Sequence, residues 1–597
     1  MGALSPRLRC IAREWAPVVT LVLAYVGVLG YLSLRRRWAM FHFDEDLAIY
    51  DQIVWNTAHG RIFASTLIQH ADNMLGDHFS PIVALFVPLY WLRATPSWLL
   101  LGQTAALAAP ALPLYAFARC RLGQSGALTV SAAYLSYPAL HFVNLFQFHE
   151  IALVVLPLAL ALLAIERRWR AAFVGCAIVA LTVKEEAAIV VVGLAVVWLL
   201  RWRDWRAAGL TAVLGVAVGF LTMGVLLPHF NTADAGGGYY YVRRYAYLGA
   251  TPVEMAWTAM TSPGLVLAHL ATADRLRSLA QLFGPLLLTP LLGWQHLVGA
   301  LPVFGYLFLA DSPDQYAIDR HYLAPLFAFL FFGAVLGLRR LGPRSAPLLL
   351  VGSLAGSFLF GPTPISRMYD PAPDRATAHT DELRRLVGEV PESAPVAASR
   401  NLLSWLSRRE RVYRFPELRD AQFVVLDYRE LRHPAAFGLD DGALGRLLAS
   451  PDFRLADSAA GALLFERGDP GFWPRTTSGG ATRFGDLIEL VDASVDGGRV
   501  QLVWRALAKP PIGYQVSVHG IDARGEKVAQ ADGAPVDGLL PTDTWEPGHV
   551  VPDVHVLPNA TAVVRVDVGL YDGRNGQHLP VTARGLPGGV DWVELRQ

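Results

Sequence analysis

The chain has 597 residues, of which 53% are hydrophobic and only 17% are charged. Soluble proteins of this size carry more charge, so most of the apolar surface must face lipid. The formal net charge of +1 excludes the strongly basic surface of a nucleic-acid binder, and no nucleic-acid partner is expected.

Charge divides the sequence into two unlike halves near residue 362. Residues 1–362 contain 25 Lys and Arg against 18 Asp and Glu, whereas residues 363–597 contain 26 against 32. The first half therefore has the charge density of a membrane protein and the second that of a soluble one. We expect a multi-pass α-helical transmembrane domain over 1–362, a small α/β domain over 363–470 and an antiparallel β-sandwich over 471–597.

Apolar runs in the first half predict about eleven transmembrane helices, each needing about 20 apolar residues or somewhat fewer. Fourteen arginines gather at one end of these runs, which predicts that this end is cytoplasmic, although Arg35, Arg36 and Arg37 break the pattern. The N-terminus would then lie on the cytoplasmic side of the membrane and the chain beyond 362 on the opposite side. The runs lie near 16–34, 97–118, 126–143, 151–165, 171–183, 187–200, 207–227, 279–293, 297–310, 321–338 and 345–361.

Carboxylates follow the opposite distribution. Of the 18 acids in the first half, only Glu14, Glu166 and Asp204 fall at the predicted inner end. Solvation of long outer loops is one explanation for this asymmetry. A polar site on the outer face of the membrane is the other.

The first outer loop, residues 35–96, opens with three consecutive acids, Asp44, Glu45 and Asp46. Apolar residues at positions 47, 50, 54 and 58 then predict an amphipathic helix that lies on the outer leaflet and ends near Gly60. One acid is enough to cap the start of such a helix. The additional acids are therefore candidates for chemistry.

Short turns between later spans bring further ionisable groups to the same outer rim. Charge at the edge of the hydrocarbon is costly and needs a partner or a function. A structural ion pair of Lys184 with Glu185 or Glu186 is one explanation, and a site that binds a cation, a phosphate or a reacting hydroxyl is another. The residues expected at this rim are Asp44, Glu45, Asp46, Asp51, Gln52, His78, His149, Glu150, Lys184, Glu185, Arg320, His321 and Tyr322.

Several short motifs occur in a fixed order along the chain. They are Asp46-Leu47-Ala48-Ile49-Tyr50-Asp51-Gln52, His59-Gly60, His78-Phe79-Ser80-Pro81, Phe148-His149-Glu150, Lys184-Glu185 and His321-Tyr322. Over roughly residues 40–430, this order resembles a bacterial multi-pass family named domain of unknown function 2079. More broadly, the arrangement is similar to the type C glycosyltransferase superfamily, GT-C. Three C-terminal motifs resemble a sandwich module often appended to bacterial membrane glycosyltransferases: Thr542-Asp543-Thr544-Trp545-Glu546-Pro547-Gly548, Val568-Gly569-Leu570-Tyr571-Asp572 and His578-Leu579-Pro580.

The superfamily resemblance implies a sugar donor carried on polyprenyl phosphate in the membrane and a glycan, lipid or protein acceptor. It implies that Asp46, with Asp44 and Glu45 as rivals, takes the proton of the acceptor hydroxyl. Glu150 or His149 would occupy the position of a second acid.

The same resemblance makes Lys184, Arg320 and His321 candidates for binding the phosphate. Asp51, Gln52, His78, Glu185 and Tyr322 are further candidates for substrate binding. The second outer loop lacks the paired acids of better-known members, so a divalent metal such as Mg²⁺ or Mn²⁺ stays an open alternative.

Two other functions fit the composition. A transporter or flippase for a lipid-linked envelope precursor predicts ionisable residues along a path through the middle of the bilayer, whereas the centres of these spans carry almost no charge. A non-catalytic envelope scaffold predicts binding of lipid-linked sugar without turnover.

Overall fold

The computed structural model describes residues 6–40, 45–69, 71–231, 240–427, 429–430, 443–450, 452–459, 461–468, 482–496, 498–538, 540–558, 560–582 and 591–596. The chain forms two compact units, Met1–Arg375 and Ala376–Gln597. The predicted three-domain division stays a prediction, and its limit at 470/471 lies outside the described residues.

The first unit is mostly helical. Its α-helices are α1 (Pro6–Trp38), α2 (Glu45–Ala58), α3 (Val87–Leu92), α4 (Ser97–Ala108), α5 (Ala111–Leu135), α6 (Pro138–Phe146), α7 (Val155–Arg167), α8 (Arg170–Leu181), α9 (Ala187–Trp202), α10 (Trp205–Leu221), α11 (Leu227–Phe230), α12 (Pro252–Thr261), α13 (Pro263–Leu270), α14 (Ala273–Phe283), α15 (Thr289–Leu292), α16 (Trp294–Phe308), α17 (Pro313–Tyr316), α18 (Leu326–Leu341) and α19 (Ala346–Phe360). A π-helical turn covers Thr222–Leu226, and 3-10 helices cover Met74–Gly76, Pro81–Phe86, Glu150–Val154, Tyr240–Tyr245, Gly284–Leu286, His321–Leu323, Pro343–Ser345 and Ala372–Asp374.

Three stretches of the described chain are helical, long and apolar enough to cross a membrane: Arg13–Trp38, Ser97–Leu135 and Trp205–Phe230. The second stretch joins two runs that the sequence separates at Arg119 and Arg121. Its helix α5 continues past these arginines and breaks at Gly123, whose φ of 76° favours glycine. The total of eleven spans stays a prediction.

Close helix packing holds the first unit together. Gly193 on α9 faces Gly299 on α16 so closely that a Cβ atom at Gly193 would collide with the Gly299 carbonyl. Small residues at such contacts let the backbones of membrane helices approach and gain van der Waals contact. This contact lies in the middle of α9, whose two ends carry the charged residues Glu186 and Arg201.

Two of the arginines that break the predicted charge pattern, Arg35 and Arg36, make structural contacts. The Nε atom of Arg36 lies 2.9 Å from Oδ1 of the buried Asp374, and Nε of Arg35 donates to the Asp374 carbonyl at 2.8 Å. Tyr369 donates to the other carboxylate oxygen of Asp374. These contacts tie the end of α1 to the segment that follows α19, which gives the arginines a role unrelated to topology.

The second unit is β-rich. Its helices are α20 (Ala378–Glu389), α21 (Leu403–Leu406) and Ala443–Ala449, together with 3-10 helices at Arg400–Leu402, Pro535–Gly538, Thr542–Thr544 and Ala560–Ala562. Its strands are β1 (Val396–Ala398), β2 (Val412–Arg414), β3 (Phe423–Asp427), β4 (Phe453–Ala459), β5 (Ala462–Arg467), β6 (Thr482–Phe484), β7 (Ile488–Asp496), β8 (Arg499–Ala506), β9 (Tyr514–Ile521), β10 (Lys527–Gln530), β11 (Val550–Val556), β12 (Arg565–Asp572), β13 (Val581–Thr582) and β14 (Val593–Arg596).

Three sheets organise these strands. A mixed sheet has the order β2-β1-β3-β5-β4, with β1 parallel to both β2 and β3. Two antiparallel sheets follow, β10-β9-β12-β14 and β11-β8-β7-β6-β13. Alternate residues of β8, including Leu502 and Trp504, are buried, as expected for a strand with one face in a core.

Candidate functional site

Helix α2 presents Asp46 in its first turn. The positive end of the helix dipole stabilises an acid there. The Asp46 side chain remains 46% exposed, whereas Leu47, Ala48 and Tyr50 directly after it are buried. The helix therefore uses one face for packing and holds a carboxylate open to solvent at its start.

His149 holds the open carboxylate in place. Its Nε2 atom lies 3.0 Å from Oδ2 of Asp46. The backbone nitrogen of His149 donates to Oε1 of the buried Gln103 at 2.7 Å, and the backbone nitrogen of Leu47 donates to Oε1 of Gln147 at 3.3 Å. The loop between α6 and α7 is thus fixed on α4 and on the start of α2.

Three aromatic rings extend the site beyond His149. The imidazoles of His149 and His321 are stacked, with ring centroids 3.5 Å apart. His321 also contacts the ring of Tyr322 at 3.9 Å. The guanidinium carbon of Arg320 lies 5.1 Å from the ring of Phe146, which packs on both imidazoles. This stack brings the segment before α18 to the start of α2.

A buried ion pair lies directly beside His149. Nζ of Lys184 lies 2.9 Å from Oε1 of Glu150, and both side chains are at most 5% exposed. Tyr50 hydrogen bonds to the same carboxylate. The expectation that Lys184 pairs with Glu185 or Glu186 is wrong: residues adjacent in a tight turn point in different directions, and Lys184 reaches the loop before α7 instead.

Glu185 pairs with His78. Its Oε1 atom lies 2.9 Å from Nδ1 of His78, and its Oε2 atom accepts from the backbone nitrogen of Phe79 at 3.0 Å. The ring of Tyr241 stacks on His78 at 5.2 Å, and its hydroxyl donates to Oδ1 of Asp77 at 3.0 Å. The Asp46 cluster, as we define it, comprises Asp46, His78, His149, Glu150, Lys184, Glu185 and His321.

Electrostatics sets the charge of the open carboxylate. Burial raises the pKa of Asp46, but the neighbouring His149, Lys184 and His78 outweigh this effect and hold the pKa below its ordinary value. Burial lowers the pKa of His78, yet the carboxylates of Asp77 and Glu185 raise it to about 9. At neutral pH, Asp46 is therefore an ionised base beside cations.

The other predicted residues of the first loop have different surroundings. Asp51 is buried and accepts from the hydroxyl of Tyr90. Gln52 is buried as well; its Oε1 atom accepts from Ser65 and from the backbone of Thr66. These contacts tie α2 to neighbouring segments, and a substrate role for either residue stays a prediction. Glu45 is partly exposed in the same turn as Asp46, and Asp44 lies outside the described residues.

The donor set does not fit a divalent cation. Among the described residues, no group of three or more His, Cys, Asp or Glu side chains could hold a metal ion. The oxygens of Glu150 and Glu185 are engaged by Lys184 and His78. The arrangement around Asp46 therefore supplies cations of its own rather than a cage for Mg²⁺ or Mn²⁺.

Sequence reasoning missed several residues that complete the cluster. Tyr241 covers His78, and the guanidinium carbon of Arg244 lies 4.4 Å from the Tyr241 ring and 5.8 Å from that of Tyr322. Both residues belong to the 3-10 helix Tyr240–Tyr245, whose run of tyrosines and arginines was the available signal. Gln103 gave no signal, because a glutamine within an apolar helix is also common in packing.

Several solved structures are similar to this chain. Among solved structures, the chain is similar to ArnT from Cupriavidus metallidurans bound to undecaprenyl phosphate, with 12% identity and a TM-score of 0.41 over 75% of this chain and 97% of that chain. The apo state of the same protein has 14% identity and a TM-score of 0.43 over 76% of this chain and 98% of that chain. The chain is also similar to the oligosaccharyltransferase of Archaeoglobus fulgidus in complex with zinc and sulfate, with 12% identity and a TM-score of 0.43 over 94% of this chain and 98% of that chain.

Sequence comparisons identify the family. No curated protein matches the sequence. The profile of a family described as predicted membrane proteins, DUF2079, matches residues 36–434 and so covers about two thirds of the chain. The matched region contains every residue of the Asp46 cluster, and the chain belongs to this family of membrane proteins.

Proposed function

We propose that this protein is a membrane-embedded transferase that moves a glycosyl group from a polyprenyl-phosphate-linked donor to an acceptor hydroxyl at the membrane surface. The observation that supports this function best is the Asp46 carboxylate. It is ionised and open to solvent, it is oriented by His149, and the charges of Lys184 and His78 act on it. General-base catalysis requires a carboxylate with this freedom to reach a substrate proton.

The proposed reaction uses the residues as follows. The acceptor hydroxyl gives its proton to Asp46 while its oxygen attacks the anomeric carbon of the donor sugar. The bond between that carbon and the phosphate oxygen breaks, and the electron pair leaves with the lipid phosphate. Arg320 binds the phosphate equally in the ground state and the transition state, and Lys184 opposes the additional negative charge that develops on the leaving group.

Arg320 is the cation best able to meet a phosphate. It is 37% exposed, and its pairing partner Asp314 is 61% exposed. Such exposed pairs contribute about 0–1 kcal/mol, so a phosphate can replace Asp314 at little cost. Lys184 remains held by Glu150 and adds a fixed positive charge behind the reacting groups.

The proposal includes the orientation. The Asp46 cluster would face the outside of the bacterial cell membrane, with the N-terminus inside and the α/β and β-sandwich parts outside, consistent with the arginine distribution. The donor sugar is unspecified, and the acceptor is a glycan, a lipid or a protein.

Acceptor-dependent release of polyprenyl phosphate from a synthetic polyprenyl-phosphate hexose by the purified full chain in lipid tests this function. Asp46→Asn should lower the release rate by about 10²–10⁴-fold and leave donor binding intact, because the amide cannot take a proton. The matched control is Asp72→Asn, an exposed carboxylate of the same loop. Binding of the donor without turnover would support a scaffold, and donor translocation without bond cleavage would support a flippase.

A further inference from the structure

The first unit contains a second charged constellation at the other end of the helices that carry the Asp46 cluster. Glu150, Lys184 and His321 come just before α7, α9 and α18. Near the ends of the same three helices lie Glu166, Arg201 and Arg339. Helices of 13–16 residues rise about 20–24 Å. The two constellations are therefore separated by about the length of a helix.

A cavity of about 520 Å³ lies at this far end. We name it the Arg121 pocket. Its charged and ionisable lining residues are Arg121, Glu166, Arg201, His296, Arg339 and Arg340. Four guanidinium groups face one carboxylate, so three positive charges are left without a negative partner in the lining. Such a surplus in a partly buried cavity favours an anion.

Glu166 is already fully engaged. Its carboxylate lies 2.5 Å from Nη2 of Arg121, 3.5 Å from Nε of Arg201 and 3.3 Å from Nε2 of His296. The side chain is 5% exposed. The acid therefore holds these two arginines and the histidine in position and cannot also neutralise the remaining arginines.

Nitrogen atoms in the lining lack acceptors. Nε of Arg121 and Nδ1 of His296 are buried without a hydrogen-bond partner among the described residues. The His296 side chain is only 1% exposed. A buried donor left without an acceptor costs about 1–3 kcal/mol. The Arg339 side chain has neither an ion pair nor a hydrogen bond within the described part of the chain. A ligand that brings several acceptor oxygens would satisfy these groups together.

The rim of the pocket is apolar. Trp294 and Leu200 line the cavity and are 52% and 53% exposed. Tryptophan beside arginine is typical of the level at which lipid headgroups lie. The occupant expected from this combination has a phosphate group against the arginines and an apolar part against Trp294 and Leu200.

We propose that the Arg121 pocket binds a phosphate group, supplied by the headgroup of an anionic lipid or by a free phosphate compound. Arginine forks bind phosphate oxygens in pairs. Basic pockets between membrane helices are a known setting for anionic headgroups. The site is separate from the Asp46 cluster, so it does not depend on the proposed transfer reaction.

Retention of defined lipids by the purified full chain tests the proposal. Phosphatidylglycerol and phosphatidylcholine are compared by native mass spectrometry after transfer into detergent. Phosphatidylglycerol should be retained in preference. Arg339→Gln and Arg201→Gln should each weaken its retention about fivefold, because one arginine near a headgroup contributes about 1 kcal/mol. Arg344→Gln is the matched control: this exposed arginine follows α18 at the same end but does not line the cavity.

A second arm separates the two sources of phosphate. Inorganic phosphate is added to delipidated protein, and the thermal unfolding temperature is measured. Stabilisation of the wild type but not of Arg339→Gln, without a lipid preference, would support the pocket and assign it to a free phosphate compound. Equal retention of both lipids with no effect of phosphate would overturn the proposal. So would an equal loss in Arg339→Gln and Arg344→Gln, which would reveal only the general positive surface.

Discussion

The Asp46 cluster and the Arg121 pocket use the same side-chain chemistry at opposite ends of the same helices. Each has a buried carboxylate paired with a cation: Glu150 with Lys184 at one end, and Glu166 with Arg121 at the other. The difference lies in the group that stays open. An acid, Asp46, is exposed in the first, whereas arginines are exposed in the second.

This difference determines what each end can bind or do. A buried pair fixes geometry but is saturated, so it neither takes a proton nor holds a new charge without a cost of several kcal/mol. The exposed group beside it acts on ligands, and the buried pair orients it. An open carboxylate suits proton transfer, and open arginines suit an anion.

The largest expected effect on stability comes from breaking the buried pair of the Asp46 cluster. Lys184→Met leaves the Glu150 carboxylate buried without a cation, which should lower the free energy of unfolding by about 3–5 kcal/mol. Adding Glu150→Gln to the same chain should restore most of the lost free energy of unfolding, because the uncompensated charge is removed. Denaturant unfolding in detergent measures both values.

The other end supplies the comparison for that prediction. Arg201→Gln removes only one of the three side chains that contact the Glu166 carboxylate, and Arg201 is itself 46% exposed. Its cost should stay below about 1 kcal/mol. If Lys184→Met lowers the free energy of unfolding no more than Arg201→Gln does, Glu150 does not depend on its single cation more strongly than Glu166 depends on any one of its partners.

The next effect concerns the orientation of the open acid. His149→Gln removes the imidazole at 3.0 Å from Asp46 and should lower the turnover of lipid-linked sugar by about 10–100-fold. The pKa of Asp46 should rise, because burial still acts on it while the attraction of His149 is lost. The acid limb of the rate profile should therefore move to higher pH. An unchanged profile, equal to that of the exposed control His59→Gln, would contradict the positioning role.

A smaller effect is expected from the titration of His78. Its pKa is raised to about 9, so its contribution to stability is complete below about pH 6.5 and is lost as the pH rises through 9. The unfolding temperature of the wild type should therefore fall between pH 7 and pH 9.5. His78→Gln should flatten this part of the curve. If His78→Gln keeps the full pH dependence of the unfolding temperature, that dependence comes from another group.

The sequence predicted the local structure of the first loop well. The helix expected to end near Gly60 is observed as Glu45–Ala58, because apolar spacing and a terminal acid are local properties. In the second unit, the strands β6, β13 and β14 are too short to have a sequence pattern of their own. They have only two to four residues, and pairing with a neighbour rather than their own pattern makes them strands.

The partners within the Asp46 cluster were harder to predict. Convergence of Asp46, His149 and Lys184 followed from their common position at the ends of spans. The sequence did not show that Lys184 pairs with Glu150 rather than with Glu185. That pairing depends on how the packed helices bring the loop before α7 next to Lys184.

The smallest effect on stability separates a structural arginine from a binding one. Arg320→Gln breaks only the exposed pair with Asp314, so the unfolding temperature should hardly change. If Arg320 meets the donor phosphate, the KM for lipid-linked sugar should rise about fivefold to tenfold with kcat nearly unchanged, because binding in the ground and transition states is lost equally. Arg277→Gln is the matched control, since it breaks a similar exposed pair with Asp274. Equal KM values for the two variants would remove Arg320 from the site and leave the phosphate to Lys184.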